Sequence, residues 1–555
     1  MKVTDQKVNS FSPITYQNNF DDNKVIIRDA PNAEAVPMDV LFVGAGPAGL
    51  SGAIELTKLV KKERESNPNF PEIQIGVLEK AAGLGEHNLS GAVLNPIALK
   101  ELFPDLKNED FPLRTQVQGD EVYYMSESSA MRIPTPPTMH NSGNFVVSIC
   151  ELVRWLGEKA ESAGVNIFAG FPADSLLVEG DKVIGVRTTP TGLGRDGNPG
   201  GANYMPPTDL TANVTVLTEG TRGNLTQGYL KWQNLASKNP QIYALGVKEL
   251  WETTKVPKGV IHTLGYPLPK SAFGGSWMYP MGENLVSFGL VVGLDYKEHN
   301  LDVHNLLQKM KEHPLFKKYL DGGKIVEWGA KTIPEGGFYA LPSKLHGDGL
   351  LLAGDCVGMV NVPALKGIHY AMKSGIIAAR TIFEAIKKND YSKNTLASYD
   401  EEIKKSYIWK DLHETRNMRL AFKSGFYAGG MKAGLMTLTK GCFPGGYIHA
   451  EEDAQDPKDV VAPSAYKPKL SKVDAVFLAG NKTRDDIPTH LKIDKDIPKA
   501  VAEMYSHLCP AGVYEISGDQ LVINAPNCID CKATDVIGPR WTPREGGSGP
   551  SYRKM

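Results

Sequence analysis

The stretch that decides the fold, residues 39–56, reads Asp-Val-Leu-Phe-Val-Gly-Ala-Gly-Pro-Ala-Gly-Leu-Ser-Gly-Ala-Ile-Glu-Leu. Its apolar start predicts a buried parallel strand, and apolar positions recur at helical spacing after three glycines in G-x-G-x-x-G register. Glycine is needed there because a pyrophosphate lies against bare backbone at the N-terminus of a helix. The stretch therefore predicts a strand, a tight turn and a helix that bind a dinucleotide through Val43, Gly44, Ala45, Gly46, Pro47, Ala48 and Gly49.

A carboxylate stands where this fold needs one, at the end of the second predicted strand. Residues 73–79 read Ile-Gln-Ile-Gly-Val-Leu-Glu, and Glu79 is placed to bind the ribose hydroxyls. The polar segment before them, residues 61–71, predicts a longer helix end and a loop. The glycine-rich loop after them, residues 80–92, is typical of a continued cofactor cradle, although a plain surface loop has the same composition.

A second signal lies far along the chain. Residues 349–355 read Gly-Leu-Leu-Leu-Ala-Gly-Asp, an apolar strand that ends in Gly354 and Asp355, and a helix is predicted over residues 367–378. In flavoproteins with two dinucleotide folds, an aspartate at this point accepts a hydrogen bond from the ribityl chain, and the helix N-terminus faces the pyrophosphate. An ordinary strand-to-helix turn would also explain Gly354 and Asp355 alone. Together with the first signal, they indicate FAD.

Composition and charge exclude several classes of protein. The 555 residues are 41% hydrophobic, which is enough for two or three ordinary domains. Lys plus Arg number 61 against 63 Asp plus Glu, a formal charge of −2, so nucleic acid is not expected as a partner. No apolar run is long enough for a membrane-spanning helix, and residues 1–23 lack the apolar core of a secretory signal. We expect the first thirty or so residues to form a flexible or loosely docked arm.

Three further stretches carry structural predictions. Residues 113–136 alternate in short runs that are typical of a hairpin. Residues 192–197 formally match G-x-G-x-x-G, but the prolines and glycines around them exclude a helix start, so no separate nicotinamide domain is predicted. Residues 422–447 are apolar, aromatic and broken by glycine, which fits either a helix in the membrane interface or a core helix under a loop.

Two adjacent glycines, Gly274 and Gly275, lie inside an aromatic strand at residues 271–279. Such a pair weakens a strand unless something approaches its backbone closely. A neighbouring strand and a flat ligand both satisfy that condition.

Three cysteines cluster near the C-terminus. Cys528 and Cys531 form a C-x-x-C pair, and Cys509 lies upstream in a Cys-Pro step that is common beside iron–sulfur ligands. Three thiolates are one short of a four-cysteine site. An iron–sulfur cluster, a zinc knuckle and an unoccupied reduced pair therefore all remain open on these residues alone.

Taken together, these residues resemble the electron transfer flavoprotein–ubiquinone oxidoreductase family from about residue 38 to the C-terminus. Several of the matching strings are specific to that family rather than to flavoproteins at large. The matching strings as a whole include Val-Gly-Ala-Gly-Pro-Ala-Gly-Leu-Ser at 43–51, Leu-Ser-Gly-Ala at 89–92, Gly-Val-Lys-Glu-Leu-Trp at 246–251, Phe-Gly-Gly-Ser at 273–276, Cys-Pro-Ala-Gly-Val-Tyr-Glu at 509–515 and Glu-Gly-Gly-Ser-Gly-Pro at 545–550.

The resemblance implies an α/β chain with a Rossmann-like two-dinucleotide-fold FAD domain, an inserted β-rich quinone-binding domain and a C-terminal ferredoxin-like iron–sulfur domain. The implied division is 1–37, N-terminal arm; 38–112, first part of the FAD domain; 113–240, FAD domain with a membrane-facing hairpin and inserted strands; 241–345, quinone-binding domain; 346–450, FAD domain return and membrane-associated helix; and 451–555, iron–sulfur domain.

The resemblance also implies an activity, that of an electron-transferring-flavoprotein dehydrogenase on the membrane surface. Such an enzyme takes electrons singly from reduced electron transfer flavoprotein and delivers two to ubiquinone or menaquinone. The backbone of Gly274 and Gly275 would meet the quinone ring. The hairpin around residues 115–136 and the helix around 424–446 would face the membrane. Electron transfer needs no nucleophile or triad, so no catalytic side chain is predicted.

The sequence departs from the family at the cluster. The family motif is C-x-x-C-x-x-C after the upstream cysteine, but here Thr534 takes the last position, so only Cys509, Cys528 and Cys531 carry over as metal ligands. The neighbouring Asp535 offers an oxygen. We expect a bound [4Fe–4S] cluster with a non-cysteine fourth ligand, while a three-iron cluster or an absent one stays open.

Two other functions remain open at this stage. An FAD-dependent hydroxylase or prenyl reductase would share both FAD signals, oxidise a nicotinamide and give the C-terminal cysteines no role. A non-enzymatic flavin-binding membrane protein with a zinc-stabilised tail would reduce no quinone. We expect a peripheral protein on the cytoplasmic face of a bacterial inner membrane; a processed mitochondrial form on the matrix face would look alike.

Overall fold

The computed structural model describes residues 1–493 and 495–555. Its first sheet, the nucleotide sheet, has six strands and is parallel except for the pairing of its last strand. The central strand is almost wholly buried and entirely apolar, as parallel strands covered on both faces are. In spatial order the strands are Asn166–Ala169, Ile75–Glu79, Val40–Val43, Val214–Leu217, Leu350–Leu352 and His346–Gly347.

Two long helices pack against each other on this sheet, Pro47–Ser66 and Ile368–Lys388. They approach so closely that a Cβ on Gly375 would lie 2.0 Å from the Ala48 carbonyl oxygen. The helix predicted over residues 367–378 is confirmed, and it extends to Lys388. The crossing brings the N-termini of both helices to one edge of the sheet, where both predicted FAD signals lie.

A second, mainly antiparallel sheet of seven strands forms the large sheet. The predicted hairpin is present, and its strand Asp120–Met125 pairs in parallel with Val260–Gly265, so the hairpin extends the large sheet. That pairing joins residues far apart in sequence, which local alternation does not reveal. In spatial order the strands are Ala130–Ile133, Asp120–Met125, Val260–Gly265, Gly274–Pro280, Leu285–Gly293, Tyr243–Glu252 and Lys324–Pro334.

The smaller sheets complete the chain. A five-stranded sheet consists of Ile26–Ile27, Ala173–Glu179, Lys182–Thr188, Asp209–Thr211 and Val36–Pro37, and a three-stranded sheet of Val93–Leu94, Phe145–Val147 and Leu113–Gln116. Two-stranded sheets pair Leu491–Lys492 with Arg540–Trp541 and Tyr514–Ser517 with Gln520–Ile523. Residues 192–197 form a loop, as predicted.

The remaining α-helices lie around these sheets. They are Asp22–Val25, Ile97–Leu102, Ile149–Ala163, Asn224–Trp232, Val303–Met310, Pro314–Leu320, Lys393–Leu396, Ser398–Lys405, Tyr407–Thr415, Met418–Ala421, Phe426–Leu438, Lys472–Leu478, Lys499–Leu508 and Ala533–Ile537.

The prediction of a flexible or loosely docked N-terminal arm is wrong. Val3–Thr4 pairs with Ile497–Pro498, and Ser10–Phe11 pairs with Lys458–Asp459. The Gln17 side-chain amide donates to three backbone carbonyls of the C-terminal region, at 2.9 to 3.3 Å. The arm is held by partners at the other end of the chain, and its own polar composition gives no sign of them.

Candidate functional site

A cavity of about 930 Å³ opens at the edge of the nucleotide sheet and runs to the large sheet. Its walls include the loop after Val40–Val43 at one end and Gly274 and Gly275 at the other. The size and the largely apolar wall suit a cofactor-sized ligand together with a second flat molecule. The loop predicted to continue the cradle lines it too, through residues 87–92.

The three glycines of the first signal have three different reasons to be glycine. Gly44 has φ +112° and a Cβ there would lie 2.4 Å from the Thr218 carbonyl oxygen, while a Cβ on Gly49 would lie 2.1 Å from the Gly44 carbonyl oxygen. A Cβ on Gly46 would meet only the Asn88 side chain, at 3.9 Å. Gly46 therefore leaves open space at the N-terminus of helix Pro47–Ser66, where backbone N–H groups favour an anion.

Glu79 is buried at the end of its strand, beside this turn. Its carboxylate accepts hydrogen bonds from the Ala81 N–H at 2.8 Å and the Ala45 N–H at 3.2 Å. Burial raises the pKa of Glu79, and these backbone donors oppose the rise. The fixed carboxylate lines the cavity, as a ribose acceptor has to.

Asp355 reaches the same cavity from the other predicted signal. Gly354, at φ +78°, turns the chain so that the Asp355 side chain lies beside Gly367, at the N-terminus of helix Ile368–Lys388. Burial raises the pKa of Asp355 to about 6. A ligand hydroxyl that donates to this carboxylate would stabilise its charged form.

Most of the predicted FAD-binding residues line the cavity. Val43, Gly44, Gly46, Pro47, Ala48, Glu79 and Asp355 do. Of the described residues, Ala45, Gly49 and Gly354 support the wall without lining it. Sequence reasoning missed the loop of residues 218–224, Lys331 to Ile333 and Lys366, which the fold brings in from separate segments.

The paired glycines are explained first by the sheet. A Cβ on Gly274, which has φ +155°, would lie 2.1 Å from the Val291 carbonyl oxygen of one neighbouring strand, and a Cβ on Gly275 would lie 2.6 Å from the Thr263 carbonyl oxygen of the other. Close strand packing therefore requires glycine at both positions. Both glycines also line the cavity, so their backbone is accessible to a flat ligand.

A half-buried lysine lies in the same wall. The Lys366 ammonium donates to Asn141 Oδ1 at 2.7 Å, and the Asn141 amide in turn donates to Asp120 at 2.7 Å. His140, which is 59% exposed, has its Nδ1 3.9 Å from the Asp120 carboxylate. Burial lowers the pKa of Lys366 to about 8, against the opposing charge of Asp120. A polar chain therefore runs from the cavity to solvent.

The three predicted cysteine ligands come together, all of them nine-tenths or more buried. Cys509 follows helix Lys499–Leu508, and Cys528 and Cys531 lie in the loop before helix Ala533–Ile537. Burial raises the pKa of all three thiols, that of Cys528 to about 12. An iron centre supplies the positive charge that such buried thiolates need, and the three-thiol set fits a cluster.

The position that the family motif gives to a further cysteine holds Thr534, next to Asp535. The Asp535 carboxylate is already occupied, because it accepts from Arg222 Nε at 2.5 Å and from the Trp541 N–H at 3.0 Å. Thr534 is buried beside the cysteines, and the Tyr514 hydroxyl next to it is also buried. The Asp535 charge balances the half-buried Arg222 and Arg540, and these contacts disfavour Asp535 as the fourth ligand.

A further group of metal-ligating side chains lies beside Cys528. His490, Cys528 and Asp530 have ligand atoms within 4.8 Å of one another. Asp530, however, pairs with Lys80 at 2.9 Å and with Arg544 at 3.0 Å, and the Trp541 indole donates to it at 3.0 Å. Two cations this close disfavour a separate metal cation, so the group serves as an ion network.

An apolar face lies on helix Phe426–Leu438, which borders the cavity. Tyr427, Met431, Leu435 and Leu438 recur at helical spacing and are 45% to 80% exposed. Met131 at the hairpin and Phe443 are more than 60% exposed as well. Among the described residues, no helix combines the length and apolar character needed to cross a bilayer.

Comparison with known proteins identifies the family. A model described as "ETF-QO, ubiquinone-binding" matches residues 243–333, and one described as "Electron transfer flavoprotein-ubiquinone oxidoreductase, 4Fe-4S" matches residues 469–553. The mitochondrial electron transfer flavoprotein-ubiquinone oxidoreductase of Dictyostelium discoideum is 38% identical, with 95% of this chain and 92% of that protein covered. This chain belongs to the electron transfer flavoprotein–ubiquinone oxidoreductase family.

A second relative of this family agrees, and a solved structure has a similar fold. The Homo sapiens protein of the same name is 38% identical over 93% of this chain and 89% of its own. A solved geranylgeranyl bacteriochlorophyll reductase-like protein from Thermoplasma acidophilum has a TM-score of 0.56 at 21% identity, covering 73% of this chain and 92% of that one. That likeness shows the fold alone. The predicted family and the predicted α/β flavoprotein fold are both confirmed.

Proposed function

We propose that this chain passes electrons from reduced electron transfer flavoprotein, through an iron–sulfur cluster and FAD, to a ubiquinone-type quinone. One observation carries the proposal: the cluster loop and the cavity share a backbone contact. The Thr332 N–H donates to the Cys531 carbonyl oxygen at 2.9 Å, and Lys331 Nζ donates to the Asp530 carbonyl oxygen at 3.0 Å. Lys331 and Thr332 both line the cavity, so the cysteines lie directly behind its wall.

In this proposal the nucleotide sheet holds FAD. Gly46 and the N–H groups after it receive the pyrophosphate, Glu79 receives the ribose hydroxyls and Asp355 receives the ribityl chain. Bound FAD supplies a centre that accepts electrons singly and passes on two. Cys509, Cys528 and Cys531 would hold the cluster, with Thr534 or a solvent oxygen beside it at the fourth iron.

The quinone would lie at the Gly274 and Gly275 end of the cavity. Its reduction to quinol takes up two protons, and the Lys366 ammonium, which lines the same cavity, would give one from Nζ. The Asn141 amide between Lys366 and Asp120 cannot pass on a proton, so the Asp120 carboxylate would act by stabilising the ammonium, and Lys366 would recover its proton from water in the cavity. No catalytic side chain is predicted from the sequence. In this proposal Lys366 is a candidate proton donor.

The exposed face of helix Phe426–Leu438 would lie in the membrane interface, with the quinone end of the cavity beside it, because Tyr427 and Leu438 also line the cavity. A quinone would then enter from lipid. We propose an inner membrane location with this face in the bilayer, on the matrix side in mitochondria or the cytoplasmic side in bacteria.

The test uses purified protein with its FAD, iron and sulfide contents measured. Reduced electron transfer flavoprotein and a short-chain ubiquinone are mixed with it without oxygen, and NADH and NADPH are offered in parallel. We expect quinone-dependent oxidation of the flavoprotein and none of the nicotinamides. Nicotinamide oxidation with no flavoprotein oxidation would instead establish the hydroxylase or reductase alternative.

A further inference from the structure

Helix Lys472–Leu478, in the cluster domain, presents an apolar pair to solvent. Phe477 is 86% exposed and Val473 is 59% exposed, and the two are four residues apart, on one side of the helix. Ala475 and Val476 hold the other side in the core. Of the large apolar side chains whose exposure is described, Phe477 has the highest. Such exposure costs hydrophobic free energy unless a partner covers it.

The same helix is the outer cover of the cluster loops. A Cβ on Gly512, three residues after Cys509, would lie 3.4 Å from Val473 Cγ2. The Lys472 ammonium donates to the Ser506 carbonyl oxygen at 2.8 Å, in the helix that ends at Cys509. Just after the helix, the Asn481 amide donates to the Pro526 carbonyl oxygen at 2.7 Å. Both cysteine loops are thus held from outside by this helix and the turn after it.

The position of helix Lys472–Leu478 beside the cysteine loops indicates which kind of partner would bind to it. A donor that delivers electrons to the cluster has to bring its redox centre close to the cysteines, and Val473 packs directly against Gly512 in the loop after Cys509. The other apolar face, on helix Phe426–Leu438, borders the quinone end of the cavity instead. Two exposed lysines, Lys467 and Lys469, precede the helix in the sequence.

We propose that Val473 and Phe477 form the docking surface for reduced electron transfer flavoprotein, so that electrons enter at the cluster. This inference rests on the proposed function. Phe477 would be the central aromatic anchor of the contact, the residue type that dominates such interfaces. Electrons would then cross the molecule from this surface, past Cys531 and Thr332, to the cavity and the quinone.

The experiment compares the holoenzyme with its Phe477→Asp, Phe477→Ser and Val473→Asp variants. The matched control is Ile97→Asp, which places the same charge at a 44% exposed apolar position in the FAD domain. The oxidation of reduced electron transfer flavoprotein is followed with excess short-chain quinone. A second readout needs no flavoprotein: dithionite reduction of the cluster by EPR, and reduction of the flavin by quinol.

We expect the KM for the flavoprotein to rise about tenfold or more in both Phe477 variants, with the dithionite and quinol readouts unchanged and the Ile97→Asp enzyme like wild type. An unchanged KM in the Phe477 variants of an active enzyme overturns the docking surface alone. A wild-type enzyme that does not oxidise the flavoprotein at all overturns the proposed function, and this inference with it.

Discussion

Lys80 and Asp530 form an ion pair, with 2.9 Å between Nζ and Oδ2. Lys80 directly follows Glu79 of the predicted ribose site, and Asp530 lies between the two cysteines Cys528 and Cys531. Arg544 completes the pair from the C-terminal segment at 3.0 Å. The pair therefore joins the FAD cradle to the cluster loop directly and fixes the positions of two redox sites relative to each other.

The first prediction concerns this pair. Asp530→Asn leaves Lys80 and the buried Arg544 without their anion, and we expect the free energy of unfolding to fall by about 3–5 kcal/mol. Asp486→Asn is the control: Asp486 is 69% exposed and pairs with Arg484 at 2.9 Å, so its loss costs at most about 1 kcal/mol. Urea unfolding followed by tryptophan fluorescence measures both. An equal decrease in the free energy of unfolding in the two variants would show that the Lys80–Asp530 ion pair does not stabilise the fold.

The second prediction concerns the fourth corner of the cluster. Because Thr534 supplies no thiolate, we expect one iron to leave on oxidation, so that oxidised wild-type enzyme shows a three-iron EPR signal. Thr534→Cys adds the missing thiolate and should keep the cluster at four irons under the same treatment. Thr534→Ala serves as the matched control and should lose iron as wild type does. Wild-type enzyme that holds four irons as firmly as Thr534→Cys would contradict this.

The third prediction gives the pH dependence of quinone reduction. The pKa of Lys366 is about 8, so the ammonium can give its proton below that pH and loses this ability as the pH rises through 8. We expect the rate of quinone reduction, with saturating flavoprotein, to fall above about pH 8. Lys366→Met should lower that rate by about 10²-fold and remove the break in the profile. The surface variant Lys404→Met should keep both the rate and the break.

The fourth prediction concerns the membrane face. Met431 and Leu435 are 69% and 45% exposed on helix Phe426–Leu438. Glutamate at either position would bring a charge into the interface, so Met431→Glu and Leu435→Glu should abolish sedimentation with liposomes. Activity with a short-chain quinone in solution should remain. Met205→Glu, at a 53% exposed position on a loop, is the control. Liposome binding that survives both helix substitutions would exclude this face.

Local sequence patterns predicted the parts of the site that lie on one segment each. The G-x-G-x-x-G turn, Glu79 and Asp355 are all read from a strand and the residues after it, because such turns must place glycine and carboxylate at fixed positions. Lys366 and Thr332 could not be found this way. Each becomes part of the cavity wall only through partners distant in sequence, Asn141 for Lys366 and Cys531 for Thr332.

The N-terminal arm and the paired glycines also depend on partners that are distant in sequence. The N-terminal arm is docked because Val3 and Phe11 are buried against a domain at the far end of the chain. Gly274 and Gly275 gave a correct signal of close approach, but the atoms that approach are carbonyl oxygens of neighbouring strands. The residue types around a position can show that another group approaches its backbone. Only the tertiary structure shows which group that is.

The central claim is that electrons from the flavoprotein reach quinone through both redox sites. The most direct measurement mixes the enzyme with reduced electron transfer flavoprotein without oxygen, freezes the mixture at intervals and records EPR spectra before and after quinone is added. The account predicts a reduced-cluster signal and a flavin radical that both disappear when quinone is added, with quinol formed. Oxidation of the flavoprotein with no cluster signal at any time, or signals that quinone leaves unchanged, would contradict it.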